Sequence, residues 1–224
     1  MVIVTLRPIA DGAYKQWRIY PTTPTTHYDK VDEETPNDAV DYITSRFADG
    51  ADHYVYDTFI KPPTGIPQGS TINSVTVYSR GIAVKTILKV VAPWTEVLLV
   101  DGTLYTGYPH YYTTWTTTYR TWATNPKTGS PWTLNDVEAL EFGAYGEDGY
   151  DDDGNETWVS VTAVWMEIDY TPPVIITKKF ARLGANITVQ PHPILLVKRN
   201  GNIIAYRKPH IPFKPEKPIQ PVVS

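Results

Sequence analysis

Residues 146–157 read GEDGYDDDGNET, with carboxylates at Asp148, Asp151, Asp152, Asp153 and Glu156 and an amide at Asn155. Acids gathered this closely hold calcium, do acid–base chemistry or keep a loop soluble. An EF-hand loop needs oxygen ligands at positions 1, 3 and 5, Gly at 6 and Glu at 12. With Gly154 in the glycine position, the first and last ligand positions fall on Gly149 and Ser160, and both fail. A looser oxygen cage of Asp151, Asp153, Asn155 and Glu156 stays open, because calcium accepts varied geometry. The competing reading is a solvated hairpin tip turned by Gly146, Gly149 and Gly154. Beyond calcium, no cofactor is expected.

A second candidate is YPHYYTTWTTTYRTW, residues 108–122. Read as a strand over 111–122, it puts Tyr111, Trp115 and Tyr119 on one face, with Thr113 and Thr117 between them. Successive rings would lie roughly 13 Å apart at about 3.3 Å per residue. Flat aromatic faces flanked by hydroxyls would suit stacking against a glycan. The alternative is one parity in the core and the other a Thr-rich surface. Trp122 and Trp132 are expected inside on either reading.

Hydrolytic chemistry finds less purchase. Paired carboxylates are the signature of glycoside hydrolysis, but no acid stands in a setting apolar enough to mark a raised pKa. Glu167 and Asp169 share a parity, with solvent or cations as their expected partners. G-x-S-x-G, P-loop, G-x-G-x-x-G and H-E-x-x-H are all missing. His27, His53, His110, His192 and His210 are scattered, and are expected on loops and surfaces. The chain has no Cys, which excludes disulfides, thiolate metal sites and Cys nucleophiles. The expectation is a protein that is not an enzyme.

The charge is divided along the chain. Residues 1–170 carry 11 Lys and Arg against 23 Asp and Glu, a net of −12; residues 171–224 carry 9 against 1, a net of +8. An acidic body with a basic tail implies that the tail meets something acidic. Within the tail, ILLVKRNGNIIAYRK (194–208) reads as a β-hairpin around Asn200-Gly201. An arm over 209–224 follows, with a proline at about every third residue. Such density favours an extended polyproline II chain that orders against a partner. The assembly candidates are Lys208, Pro209, His210, Ile211, Phe213, Lys214, Lys217 and Ile219. The basic residues are diluted by Pro and apolar residues without aromatic interleaving, so protein is the expected partner rather than nucleic acid.

The elements that must position these residues are β-strands. Composition is rich in Thr, Val, Tyr and Trp and is broken by Gly/Pro/Asn/Asp clusters. Strands are expected at 2–6, 14–20 (around an Asp11-Gly12 turn), 53–60, two within 74–92 meeting near Gly81, 95–100, 111–122, 141–145 and 157–170. Bulk on both parities marks 157–170 as a central strand. Residues 21–41 read as a long loop. The one helix expected is a turn or two after Thr133 as N-cap, with Asp136 at the third helical position and Leu134, Val137 and Leu140 on its apolar face. No apolar run is long enough to span a membrane, and the N-terminus lacks the pattern of a signal peptide.

Several stretches resemble one family: TLRPIADGAYKQW (5–17), HYDKVDEETPNDAVDYI (27–43), INSVTVYSR (72–80), NPKTGSPWTLNDVEALEFGAY (125–145) and VTAVWMEIDY (161–170). Together they look like a jelly-roll-like β-sandwich domain common in tailed-phage virion proteins and related surface proteins. The resemblance covers about residues 3–170. It implies an antiparallel jelly-roll-type β-sandwich over 1–170 with an assembly appendage over 171–224. It also implies a virion location after synthesis in a host cytoplasm, as a capsid decoration, head-fibre or minor shell protein. The implied partners are copies of itself and other virion proteins. The family supplies no catalytic residues. The insert 146–156 and the tail depart from it. Two other readings stay open: a glycan- or receptor-binding module, and a carbohydrate-active hydrolase.

Overall fold

β-Branched and aromatic runs, many of them closed by Gly, Pro or Asp, become the strands of one antiparallel sheet. They are β1 (Val2–Leu6), β2 (Ala10–Lys15), β3 (Arg18–Tyr20), β4 (Tyr42–Thr44), β5 (His53–Ile60), β6 (Thr71–Lys85), β7 (Trp94–Val100), β8 (Thr103–Thr106), β9 (Thr116–Trp122), β10 (Glu141–Tyr150) and β11 (Glu156–Thr171). The computed structural model describes residues 1–47, 51–85, 92–150 and 156–174, with the backbone alone at Lys85, 195–199 and 202–206.

The sheet branches and curls into a half-barrel, an all-β architecture consistent with a β-sandwich. On one side β10 lies between β5 and β7, extended by β2 beyond β5 and by β8 beyond β7. On the other side β11 pairs along its length with β6, which pairs in turn with β9. The opposite edge of β11 takes β1 and β4, and β4 takes β3. The two sides join where β10 runs past Asp148 to pair with the start of β11. Asp101 and Gly102, both at positive φ, make the tight turn between β7 and β8, a backbone that Asp-Gly suits.

Side chains from both sides interdigitate between them. Val55 and Phe59 of β5, Leu98 of β7 and Phe142 of β10 bury against Val75 and Val77 of β6 and against Val159, Val161 and Met166 of β11. The bulk on both parities of β11 does mark a central strand: Val159 to Val164 are buried without a break. Trp122 and Trp132 are also inside, with the Trp132 indole donating to the Trp122 carbonyl at 2.9 Å. The helix α1 (Leu134–Ala139) forms as expected. Thr133 accepts from the Asp136 amide, the Asp136 carboxylate accepts from the Thr133 amide, and Val137 and Leu140 are buried.

Three expected strands change. Residues 14–20 divide into β2 and β3, and Asp11-Gly12 lies inside β2 rather than at a turn. The register with β5 jumps from Asp11 opposite Phe59 to Lys15 opposite Asp57. Side chains hold this irregularity, since Glu141 Oε2 accepts from the Ala13 amide and Asp11 Oδ1 accepts from the His27 and Tyr28 amides. The strand β6 runs unbroken through Gly81; the irregularity falls on β11, where Thr162 bulges between the pairs Val161–Gly81 and Ala163–Arg80. The bulged Thr162 hydroxyl lies 3.0 Å from both Asn37 Oδ1 and the Asp41 carbonyl, which seats the 30s loop. Residues 86–91 lie outside the described residues. Finally, β9 starts only at Thr116. The preceding segment crosses between the two sides: His110 bridges to Trp94, and the Tyr112 carbonyl accepts from the Ala83 amide.

The chain divides into two compact units, Met1–Ile175 and Ile176–Ser224. The second contains a hairpin of its own, β12 (Leu195–Arg199) with β13 (Asn202–Tyr206), Leu195 facing Tyr206 and Arg199 facing Asn202. This is the hairpin expected around Asn200-Gly201. The arm residues Lys208, Pro209, His210, Ile211, Phe213, Lys214, Lys217 and Ile219 lie outside the described residues, as do 175–194. Among the described residues no helix is long and apolar enough to cross a membrane.

Candidate functional site

Strand alternation sets the outer face of the β5–β10–β7 side. On β5, Val55, Asp57 and Phe59 turn inward, so Tyr54 and Tyr56 turn outward. On β10, Tyr145 and Glu147 share that outward parity. Register then places Tyr145 opposite Tyr56, and Glu147 opposite Tyr54. The Tyr56 and Tyr145 rings lie 4.7 Å apart, and Tyr14 of β2 adds a third ring 6.1 Å from Tyr56.

Residues 107–111 wall off this face. The Gly107 amide donates to the Glu96 carbonyl at 2.8 Å, and His110 and Trp94 exchange backbone hydrogen bonds of 2.8 and 3.2 Å. Gly107 must be glycine, because a Cβ there would stand 2.7 Å from Thr95 Oγ1 and 3.1 Å from Arg120 Cβ. An open cleft of about 420 Å³ results, lined by Tyr56, Tyr111, Tyr145, Pro93, Pro109 and Glu147 among others. The Tyr145 hydroxyl donates to Glu147 Oε1 at 2.6 Å. Burial first holds the Tyr145 and Tyr56 hydroxyls above the ordinary tyrosine pKa, followed by the hydrogen bond to Glu147 at Tyr145 and by the Glu147 charge at Tyr56. Both phenols are therefore neutral hydrogen-bond donors at any physiological pH.

No family model, curated protein or solved structure matches this chain.

Behind the cleft wall, the inward residues form a polar knot. Glu96 of β7 has no solvent exposure. Its Oε1 accepts from the Ser79 and Thr118 hydroxyls at 2.7 Å each, and its Oε2 lies 3.0 Å from His110 Nε2. The Trp94 indole donates to the Ser79 hydroxyl at 3.1 Å. The cluster holds a serine, a histidine and an acid, but in an order that does no nucleophilic chemistry. A nucleophilic serine must bond to the imidazole that takes its proton. Here Ser79 and His110 sit on opposite oxygens of Glu96, so the carboxylate stands between them. The knot fastens the crossing segment to both sides of the sheet.

Two more histidines meet buried acids. His27 Nδ1 lies 2.5 Å from Asp57 Oδ2, while Asp57 Oδ1 accepts from the Gln16 and Trp17 amides. Burial pushes the Asp57 pKa up, against those donors. His53 Nδ1 lies 3.5 Å from Asp148 Oδ2, which also accepts from the Phe47 amide. Burial raises the Asp148 pKa as well, and its Oδ1 is buried without a hydrogen-bond partner. These findings correct two expectations. His27 and His110 do lie on segments between strands, but His27 is buried and the His27, His53 and His110 imidazoles all face buried carboxylates rather than solvent, and Asp57, Asp148 and Glu96 do stand in buried settings. His192 and His210 lie outside the described residues. One signal was available in advance: the period of HYVYDTFI puts Asp57 on the same face as Val55 and Phe59.

The expected glycan platform does not form as a strand face. Tyr111 and Trp115 precede β9, and Tyr119 lies within it. Tyr111 lines the cleft, Trp115 sits 6.4 Å from Tyr42, and Tyr119 packs 5.5 Å from Tyr78. Of the three, only Tyr111 joins the tyrosine cleft. The rings that do line it, Tyr56 and Tyr145, come from strands nearly 90 residues apart and carry no local motif.

The acidic segment joins two strands, β10 and β11, but Gly146 and Gly149, expected to turn it, lie inside β10, which runs on to Tyr150, and Gly154 lies outside the described residues. Asp148 belongs to β10 and is buried, and Glu156 opens β11 with both oxygens held by the Arg46 guanidinium at 2.8–3.1 Å. Asp151, Asp153 and Asn155 lie outside the described residues. Among the described residues, no three His, Asp or Glu side chains gather as a metal site. Glu167 and Asp169 face a second, smaller groove of about 210 Å³. Their partners are neutral rather than cationic: the Tyr78 hydroxyl and the Asn73 amide, each at 3.0 Å.

Proposed function

We propose that the chain is a virion structural protein of the tailed-phage kind, a capsid decoration, head-fibre or minor shell protein. Its body is read as a jelly-roll-type β-sandwich, and its arm over 209–224 as the element that secures it to neighbours. The observation that carries this reading is the division of charge between two separate units. The unit 1–175 holds 23 acids against 11 basic residues, and the unit 176–224 holds 9 basic residues against 1 acid. The all-β body and the absence of a nucleophile–base pair in the buried Ser79–Glu96–His110 knot are in keeping with a binding or building role.

The test is deletion of residues 208–224. The truncated protein is expected to keep its near-ultraviolet spectrum and its cooperative unfolding, and to lose incorporation into particles. Incorporation at normal occupancy would overturn the reading. The alternative, a glycan- or receptor-binding module, is favoured by one observation, the tyrosine cleft, and is decided by an arm of the experiment below.

A further inference from the structure

We infer that the tyrosine cleft of the body is a docking groove for a polyproline II segment, and that its occupant is the proline-rich arm of a second copy. This rests on the assembly reading above and names the surface that reading leaves open.

The floor of the cleft excludes strand addition. The floor lies inside the sheet, where β10 pairs with β5 on one edge and β7 on the other, so β10 offers no open edge to an incoming peptide. An occupant must bind through side chains. The lining supplies flat apolar surfaces from Tyr56, Tyr111, Tyr145, Pro93 and Pro109, and one carboxylate, Glu147. Tyr145 takes Glu147 Oε1, leaving Oε2 to meet a cation. Aromatic walls with an acid beside them are what proline-rich peptides with an adjacent basic residue bind. The pyrrolidine rings pack on the aromatic faces, and the preformed helix loses little entropy on docking.

The chain carries such a peptide. Pro209, Pro212, Pro215, Pro218 and Pro221 recur every third residue. At three residues per turn, polyproline II sets them along one ridge and Lys208, Lys214 and Lys217 along another. Its prolines cannot donate to a β-ladder, which suits a groove and not a sheet edge. Charge points the same way, as a tail at +8 is drawn to a body at −12. A head-to-tail contact between copies generates rings or lattices.

The experiment titrates full-length protein into a fluorescent peptide of residues 208–224 and follows anisotropy. Saturable binding is expected. It should be weakened roughly tenfold or more when Pro212 and Pro215 of the peptide are replaced by Ala, since their rings supply the packing. Glu147→Gln should weaken it roughly 3- to 10-fold and flatten its salt dependence, through the lost charge pair. Tyr111→Ala, on an exposed loop, should weaken it with the unfolding midpoint unchanged. No saturable binding, or binding indifferent to both Glu147→Gln and Tyr111→Ala, overturns the proposal. So does a cleft that takes an oligosaccharide and not the peptide, in favour of the glycan reading. The two proposals fail separately. If the deletion abolishes incorporation but the peptide does not bind, assembly stands and this groove falls. If the peptide binds the cleft but the deletion leaves occupancy normal, the groove stands and assembly falls.

Discussion

Glu96 and Glu147 sit on neighbouring strands, one facing into the body and one facing out. Glu96 is fully buried, and two hydroxyls and an imidazole surround its carboxylate. Glu147 is half-buried, takes one donor from Tyr145 and opens onto the cleft. The difference shows how one residue type acquires opposite roles. A carboxylate with buried partners on both oxygens holds the structure together, and one with an oxygen left open to a cleft can receive a partner. Glu33 marks a third condition. It is partly buried, with a long 3.4 Å contact to Asn37 on one oxygen and no partner on the other.

The comparison breaks most sharply at Glu96. Glu96→Ala strands the Ser79, Thr118 and His110 groups in the interior and should cost about 3–5 kcal/mol, read from denaturant unfolding. A loss within experimental error would mean that the knot is not structural. Next comes the packing of the inner face. A Cβ at Gly146, one residue before Glu147 on the opposite face, would meet the Trp17 ring at 2.5 Å and Val159 Cγ2 at 2.6 Å. Gly146→Ala should therefore cost about 1–3 kcal/mol through overpacking.

Glu33 sharpens the comparison through pH. Burial first, then the charges of Asp41 and Asp32, raise its pKa to about 7. A carboxyl raised in the folded state contributes stability that is fully present below the ordinary glutamate pKa and lost as pH climbs through about 7. The unfolding midpoint should thus fall between about pH 5 and about pH 8, and Glu33→Gln should remove part of that fall. An unchanged slope in Glu33→Gln would assign it to other groups. The smallest effect on stability belongs to Glu147→Gln, which should stay within about 0.5 kcal/mol because its site faces solvent. A large loss there would make Glu147 a structural group like Glu96.

Much of the body was legible along the chain. Strands at 2–6, 53–60 and 95–100, the long central strand at 157–170, the Thr133–Asp136 capping box and the Asn200-Gly201 hairpin all follow from period and turn chemistry, which act over a few residues. The misreadings share a cause. The stretch 111–122 reads as one strand because its residues suit one, yet residues before Thr116 are drawn off to bridge Trp94 and Ala83. Gly81 reads as a break, yet the glycine is there to let Trp94 approach within 2.8 Å of where a Cβ would stand, and the bulge falls on β11 instead. The cleft went unseen because its two central rings come from β5 and β10, joined only by register.

By itself the sequence determined the β-rich body, most of its strands, the helix cap, the last hairpin and the opposed charges of body and tail. Each depends on side-chain period or local backbone preference, which a short segment expresses alone. The tertiary structure alone decided which carboxylates are saturated and which are open. That choice brings Glu96 to Ser79, Thr118 and His110, joins Asp57 to His27, and sets Tyr145 beside Tyr56 in a cleft that Tyr111 also lines. Burial and hydrogen-bond partners arise from distant segments meeting, and no local preference encodes them.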